Sequence, residues 1–141
     1  MKILIFGLPG SGKTTLAKPF AELIGGIHLN ADLIREKYSD WDFTIEGRIS
    51  QAKRMKHLAD GVVMAGKTAI ADFVAPTQLI RDIFDADFTI WMDTIEESQY
   101  KDTNQIFEPN ATGIDYHVSE WFNNTHQALV PVLKRWMERN N

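Results

Sequence analysis

A chain of 141 residues with 44% hydrophobic and 24% charged residues sits near the average for soluble globular proteins, which excludes a disordered or collagen-like polypeptide and suits one domain with one core, residues 1–141. It contains no cysteine, which excludes disulfide scaffolds, thiolate zinc sites and cysteine nucleophiles and makes the cytoplasm the expected compartment. A net charge of -4 argues against a protein that neutralises many phosphates of an extended nucleic acid, while leaving room for a local site for a small anion.

In chain order, residues 2–6 form a short apolar run halted by Gly7, and residues 11–23 then carry Leu16, Ala17, Phe20 and Leu23 at helical spacing. The pattern predicts strand, tight loop, helix. A second short strand follows at 27–29 and a short helix at 31–37. After a turn at 39–42, Ile45, Ile49, Ala52, Leu58, Val62 and Ala65 trace one face of a long helix that Gly66 can end. Residues 68–74 are strand-like, 77–84 helical and 87–92 a fourth strand. Such alternation predicts an α/β fold, a doubly wound, mostly parallel sheet with helices on both faces and ligands beyond the carboxyl ends of the strands. Residues 97–110 are polar and read as a mobile loop or lid, and 116–118 as a fifth strand. Ser119 is positioned to cap a C-terminal helix burying Trp121, Phe122, Leu129, Leu133 and Trp136, which Pro131 should kink or divide. His28, His57, His117 and His126 are scattered, so no transition-metal site is expected. No apolar run approaches the roughly 18 residues of a membrane span, and no membrane partner is expected.

Gly7-Leu8-Pro9-Gly10-Ser11-Gly12-Lys13-Thr14 satisfies G-x-x-x-x-G-K-[ST] between a predicted strand and helix. Glycines let successive backbone N–H groups turn inward as an anion nest at the positive end of the following helix. Phosphates of a nucleotide fill such a nest, with Lys13 reaching the β and γ phosphates and the Thr14 hydroxyl placed to ligate Mg²⁺. The alternative is a structural glycine-rich turn with a solvated lysine.

A phosphoryl transferase also needs a proton acceptor and cations for its second substrate. Asn30-Ala31-Asp32-Leu33-Ile34-Arg35 offers both, with Asp32 at the ligand-binding edge and Arg35 one helical turn on. The alternative is that Asn30 or Asp32 caps the short helix and Arg35 is a solvated partner of Glu36. Arg48 and Gln51 repeat the three-residue spacing after the aromatic pair Trp41 and Phe43; their alternative is a solvated helix face. Asp72, ending a strand, is placed to hold a water on Mg²⁺ or to cap the next turn.

Over roughly residues 2–93 the chain resembles adenylylsulfate kinase, the P-loop family that phosphorylates the 3′-hydroxyl of adenylylsulfate from ATP. The family's G-L-S-G-S-G-K-S-T is similar to residues 7–15, ending Thr14-Thr15, and its D-G-D-N-V-R to residues 30–35. Its G-F-S-x-x-D-R-x-x-N-I-R-R resembles residues 42–54, and its A-F-I-S-P residues 72–76. The resemblance implies that Asp32 and Lys13 are catalytic, that Arg35 binds a substrate phosphate, that Phe43 stacks on the acceptor's adenine, that Arg48 grips its phosphosulfate and that Gln51 replaces an asparagine contact, with Phe73 beside them. The implied partners are ATP and a small anionic acceptor, with a homodimer left open, and the implied metal is Mg²⁺. Lys101 in the 97–110 lid would close over the nucleotide.

The chain also departs from that pattern. Asn30 replaces the first Asp, Gln78 stands where an Arg is usual, and Lys101 is the only Lys or Arg between Arg81 and Lys134. Residues 111–115 are similar to F-T-G-I-D, but Ala111 cannot supply the second stacking aromatic. Asn30-x-Asp32-x-x-Arg35 further resembles the N-x-D-D-x-R of phage-type polynucleotide kinases, and Asp72 their S-D-T-N. The reading is therefore an ATP-dependent kinase of a small anionic acceptor, with adenylylsulfate first. A nucleoside, nucleotide or polynucleotide 5′-hydroxyl acceptor and a non-catalytic nucleotide-binding module are the alternatives.

Overall fold

Side-chain alternation along β1 (Lys2–Phe6) decides how the sheet is covered. Ile3 and Ile5 point to one face and Leu4 and Phe6 to the other, all four at most 1% exposed. A strand apolar on both sides belongs at the centre of a parallel sheet with helices on each face. The computed structural model, which describes residues 1–109, 112–121 and 123–140, has that architecture. β2 (Ile27–Asn30), β3 (Ala69–Asp72), β4 (Phe88–Met92) and β5 (Tyr116–Val118) join β1 in the order β2-β3-β1-β4-β5, every pair parallel.

On the Ile3/Ile5 face lie α1 (Lys13–Ile24) and α6 (Thr125–Arg139), contributing Leu16, Ala17, Phe20, Leu129 and Leu133 to one core. On the other, α2 (Ala31–Tyr38), α3 (Ile45–Met64) and α4 (Gln78–Phe84) contribute Ile34, Ala52, Met55, Ala59, Ile80 and Phe84. The short α5 (Lys101–Ile106) lies within the predicted lid, whose backbone is tied by reciprocal bonds between Ser98 and Asn104 at 2.7 to 2.9 Å.

The differences from expectation are local. Leu23 is 53% exposed, because the buried side of α1 turns through Leu16, Ala17, Phe20 and Ala21. Ile45 is exposed and Ala65 caps the end of α3; the buried face of its first turns carries Arg48 and Gln51 instead, since this end overhangs a cleft rather than the core. The last helix starts at Thr125 behind Asn124, so Ser119 does not cap it, and Trp121 remains exposed. The ring of Trp121 reaches across the sheet end to about 3.5 Å from where a Cβ on Gly12 would stand. Trp136 packs edge-to-face on Phe88 at 5.7 Å, while Phe122 lies outside the described residues. Pro131 does not divide α6: it and Gln127, whose carbonyl it cannot serve as a donor, are on the exposed side, open to solvent. No helix among the described residues is long and apolar enough to cross a membrane.

Candidate active site

The carboxyl ends of β1, β2 and β3 open into a cleft of about 1110 Å³. Its floor is the loop from Gly7 to Gly12. A Cβ at Gly7 would run into the Met92 carbonyl, so no larger residue fits where the loop passes β4. Gly12 adopts the left-handed conformation at φ 97° immediately before α1, which glycine tolerates without strain. The Leu8 carbonyl accepts from Ser11 N at 3.1 Å and from Lys13 Nζ at 3.0 Å, folding the loop over its own lysine. Pro9, Gly10, Gly12, Lys13, Thr14 and Thr15 line the cleft. Leu8 and Ser11 face inward, the buried Ser11 hydroxyl without a side-chain partner and its carbonyl accepting from Thr94 Oγ1 at 2.7 Å. Burial pushes the Lys13 ammonium below the ordinary lysine range, opposed by the carboxylates of Asp72 and Asp32.

Asp72, 3% exposed, collects three donors on Oδ2: His28 Nε2 at 2.7 Å, Asn30 Nδ2 at 3.0 Å and Thr14 Oγ1 at 3.1 Å. Asn30 Nδ2 also approaches Thr14 Oγ1 at 3.1 Å, and its Oδ1 caps α2 by accepting from Leu33 N at 3.0 Å. Asn30, rather than Asp32, is therefore the cap. That leaves the Asp32 side chain exposed on the cleft wall, near enough to Lys13 to act on its charge. Thr14 and Asp72 are hard oxygen donors at the loop's mouth, of the kind that bind Mg²⁺ in ones and twos beside phosphate oxygens.

Across the cleft, Arg35 and Arg48 are buried and flank Phe43, their guanidinium carbons 4.3 and 5.4 Å from its ring centre. Backbone carbonyls hold both: Arg35 Nη1 donates to Asp40 and Asp42 at 3.1 Å each, and Arg48 Nε to Phe43 at 2.9 Å. Burial lowers both from the usual arginine range. Arg48 Nη2 also reaches Thr103 Oγ1 of α5 at 3.2 Å, joining the cleft wall to the lid. Gln51 is buried and engaged at both ends, donating to the Ala31 carbonyl at 3.2 Å and accepting from Arg54 at 2.7 Å. Neither Arg48 nor Gln51 belongs to a solvated face, and Phe73 lines the cleft against Phe84.

Asp32, Arg35, Phe43, Arg48, Gln51, Phe73 and the phosphate loop thus share one space. Lys101 does not: it is exposed and outside the lining, while the lid faces the cleft with Glu97, Ser98, Gln99, Tyr100, Asp102 and Thr103. Ala111 lies outside the described residues. Gln78 ties the start of α4 to the chain beyond α5, donating from N to Glu108 Oε2 at 3.1 Å and accepting from Thr112 N at 3.2 Å.

Three features were not anticipated. His28 stands two residues before Asn30, and the period of two that puts both on one strand face was the available signal. Ala75 lines the cleft at φ 44°, a left-handed conformation that costs an alanine free energy. Arg81, 5% exposed, pins that turn by donating to the Ala75, Pro76 and Glu108 carbonyls at 2.8 to 3.3 Å. Burial between Phe6 and Phe107 brings its pKa down to about 10.

The adenylylsulphate kinase family model matches residues 1–114. An adenylyl-sulfate kinase of Shewanella baltica strain OS195 is 33% identical over 90 residues, covering 60% of this chain and 44% of that protein. The chain thus spans less than half the length of the curated relatives it matches. Among solved structures, the APS kinase of Mycobacterium tuberculosis in complex with AMPPNP and APS superposes with a TM-score of 0.77 at 17% identity, over 94% of this chain and 96% of that one. A gluconokinase from Sinorhizobium meliloti superposes with a TM-score of 0.69 at 14% identity, over 98% and 94%. At these identities the two structures support the fold alone.

Proposed function

The chain belongs to the adenylylsulfate kinase family, and we propose that it transfers the γ-phosphoryl group of ATP to a hydroxyl of a small anionic acceptor, the 3′-hydroxyl of adenylylsulfate. The observation that carries this reading is the continuity of the cleft from Lys13 and Thr14, past Asp32, to Arg35, Phe43 and Arg48. One end suits the donor's phosphates and the other an aromatic, anionic acceptor.

Lys13 meets the β and γ phosphates, and their charge offsets the desolvation that the free lysine bears. Thr14 and Asp72, the latter through water, would hold the divalent cation, read as Mg²⁺, which would screen charge on the transferred group. Asp32 orients the acceptor hydroxyl and takes its proton as the oxygen attacks phosphorus and the bond to the ADP oxygen breaks. Arg35 and Arg48, fixed by carbonyls, hold the acceptor's anionic group without first paying to order their own side chains. Phe43 stacks on its base, with Gln51 and Phe73 shaping the wall.

The test supplies γ-labelled ATP, Mg²⁺ and adenylylsulfate in competition with a short 5′-hydroxyl oligonucleotide. Label in 3′-phosphoadenylylsulfate is expected; label in the oligonucleotide alone would replace the acceptor. A second reading, a nucleotide-binding module without transferase activity, is favoured by the lid lining, which carries no Lys or Arg among the described residues. It predicts nucleotide binding with label remaining in ATP for every acceptor.

A further inference from the structure

β2 and β3 pair in register His28 to Ile70 and Asn30 to Asp72. Ile70 packs in the core under α1 and α6, so the period of two sends His28, Asn30 and Asp72 to that same side of the sheet, where α1 begins with Lys13 and Thr14. A carboxylate removed from water needs donors, and Asp72 has them on one oxygen. The shortest of the three contacts comes from His28, at 2.7 Å. An ionised carboxylate only accepts, so Nε2 carries the proton and the imidazole donates. The Thr14 hydroxyl has a single proton. Donating it to Asp72 leaves one lone pair of that oxygen to accept from Asn30 Nδ2 and the other for a further partner. His28, with a side chain 16% exposed, does not line the cleft. Its side-chain hydrogen bond among the described residues runs to Asp72, which does line the cleft.

We infer that His28 is a positioning residue: by fixing the carboxylate of Asp72 it orients that group, and with it the Thr14 hydroxyl, for the divalent cation that accompanies the nucleotide. The inference rests on the proposed nucleotide and cation site and is independent of the acceptor. Its precedent in physical chemistry is general, since groups that orient a metal's ligands typically change its affinity by about 10- to 100-fold when removed.

The experiment measures Mn²⁺ binding to the protein–ADP complex by electron paramagnetic resonance, and ADP binding in EDTA, for wild type, His28→Leu and His28→Gln. His28→Leu, which fills the space without a donor, is expected to weaken Mn²⁺ by about tenfold with metal-free ADP affinity unchanged. His28→Gln keeps an N–H donor and is expected to recover most of that loss. Unchanged Mn²⁺ affinity in His28→Leu overturns the inference. So does a parallel loss of metal-free ADP affinity, which would mark a structural role in the loop. Should His28→Leu fail to fold, His28→Asn takes its place, because its shorter amide falls short of Asp72; equal Mn²⁺ affinity in the Asn and Gln variants then overturns the inference. If adenylylsulfate takes no label while the Mn²⁺ pattern holds, the acceptor reading fails and the role of His28 stands.

Discussion

Asn30 makes three bonds at once, and replacing it shows whether they matter. In Asn30→Ala, α2 loses its cap to Leu33 N, worth about 1 kcal/mol. Asp72 loses one donor of three, and a hydrogen bond to a buried charge is worth about 1.5–3 kcal/mol. Allowing for water entering the space, the sum is about 3 kcal/mol, a large part of the 5–15 kcal/mol by which a domain is stable, and a Tm lower by roughly 10 °C. Asn30→Asp restores the family's residue and the cap, yet sets a second carboxylate where an amide nitrogen stood 3.0 Å from Asp72 Oδ2. Like charges about 4 Å apart repel by about 4 kcal/mol at an effective dielectric of 20. In EDTA, Asn30→Asp is therefore expected to be no more stable than Asn30→Ala, and to gain more than any other form from Mg²⁺ with ADP. Urea unfolding at pH 7 with and without metal measures both. Stabilities of both variants within about 0.5 kcal/mol of wild type in EDTA would refute the reasoning, that being the usual effect of a surface substitution.

Three further outcomes are expected. Phe84→Ala, at a fully buried position against Phe73, should lose about 3–5 kcal/mol in denaturant unfolding. Lys13→Met should leave the free protein's Tm unchanged or raised, since burial disfavours the ammonium, while abolishing the upward shift expected of the wild type with ADP and Mg²⁺. Asp40 sits below the usual carboxylate range because the Asp42 N–H, and then Arg54, donate to it. A carboxyl lowered in the folded state contributes stability above its unfolded pKa, near 3.8, and loses it as pH falls through the folded value. Asp40→Asn should accordingly show a shallower loss of stability between about pH 4 and 2 in acid titrations followed by circular dichroism.

What could be read in advance follows how local each determinant is. The phosphate loop is legible because its spacing is set within eight residues, where the chain turns through the left-handed Gly12 into α1. Arg35, Arg48 and Gln51 are legible through helical spacing, but the anchoring of the two arginines to carbonyls depends on the course of residues 40–43, which no periodicity encodes. The start of α6 was misplaced because Ser119 is a good cap in isolation, whereas packing leaves Trp121 over Gly12 and delays the helix to Thr125. Arg81 is illegible for a related reason: the carbonyls of Ala75 and Pro76 meet it through an irregular turn, and that of Glu108 joins them only in the folded chain.

In the proposed function one cleft holds donor and acceptor, with Asp32 between them. Single-turnover transfer from γ-labelled ATP to adenylylsulfate, comparing wild type with Asp32→Asn, tests it most directly. Labelled 3′-phosphoadenylylsulfate is expected from wild type, with a rate lower by about 10²–10⁴-fold in the variant and ADP affinity unchanged. A variant that transfers at nearly the wild-type rate, or a wild type that binds ATP and labels no acceptor, would contradict it.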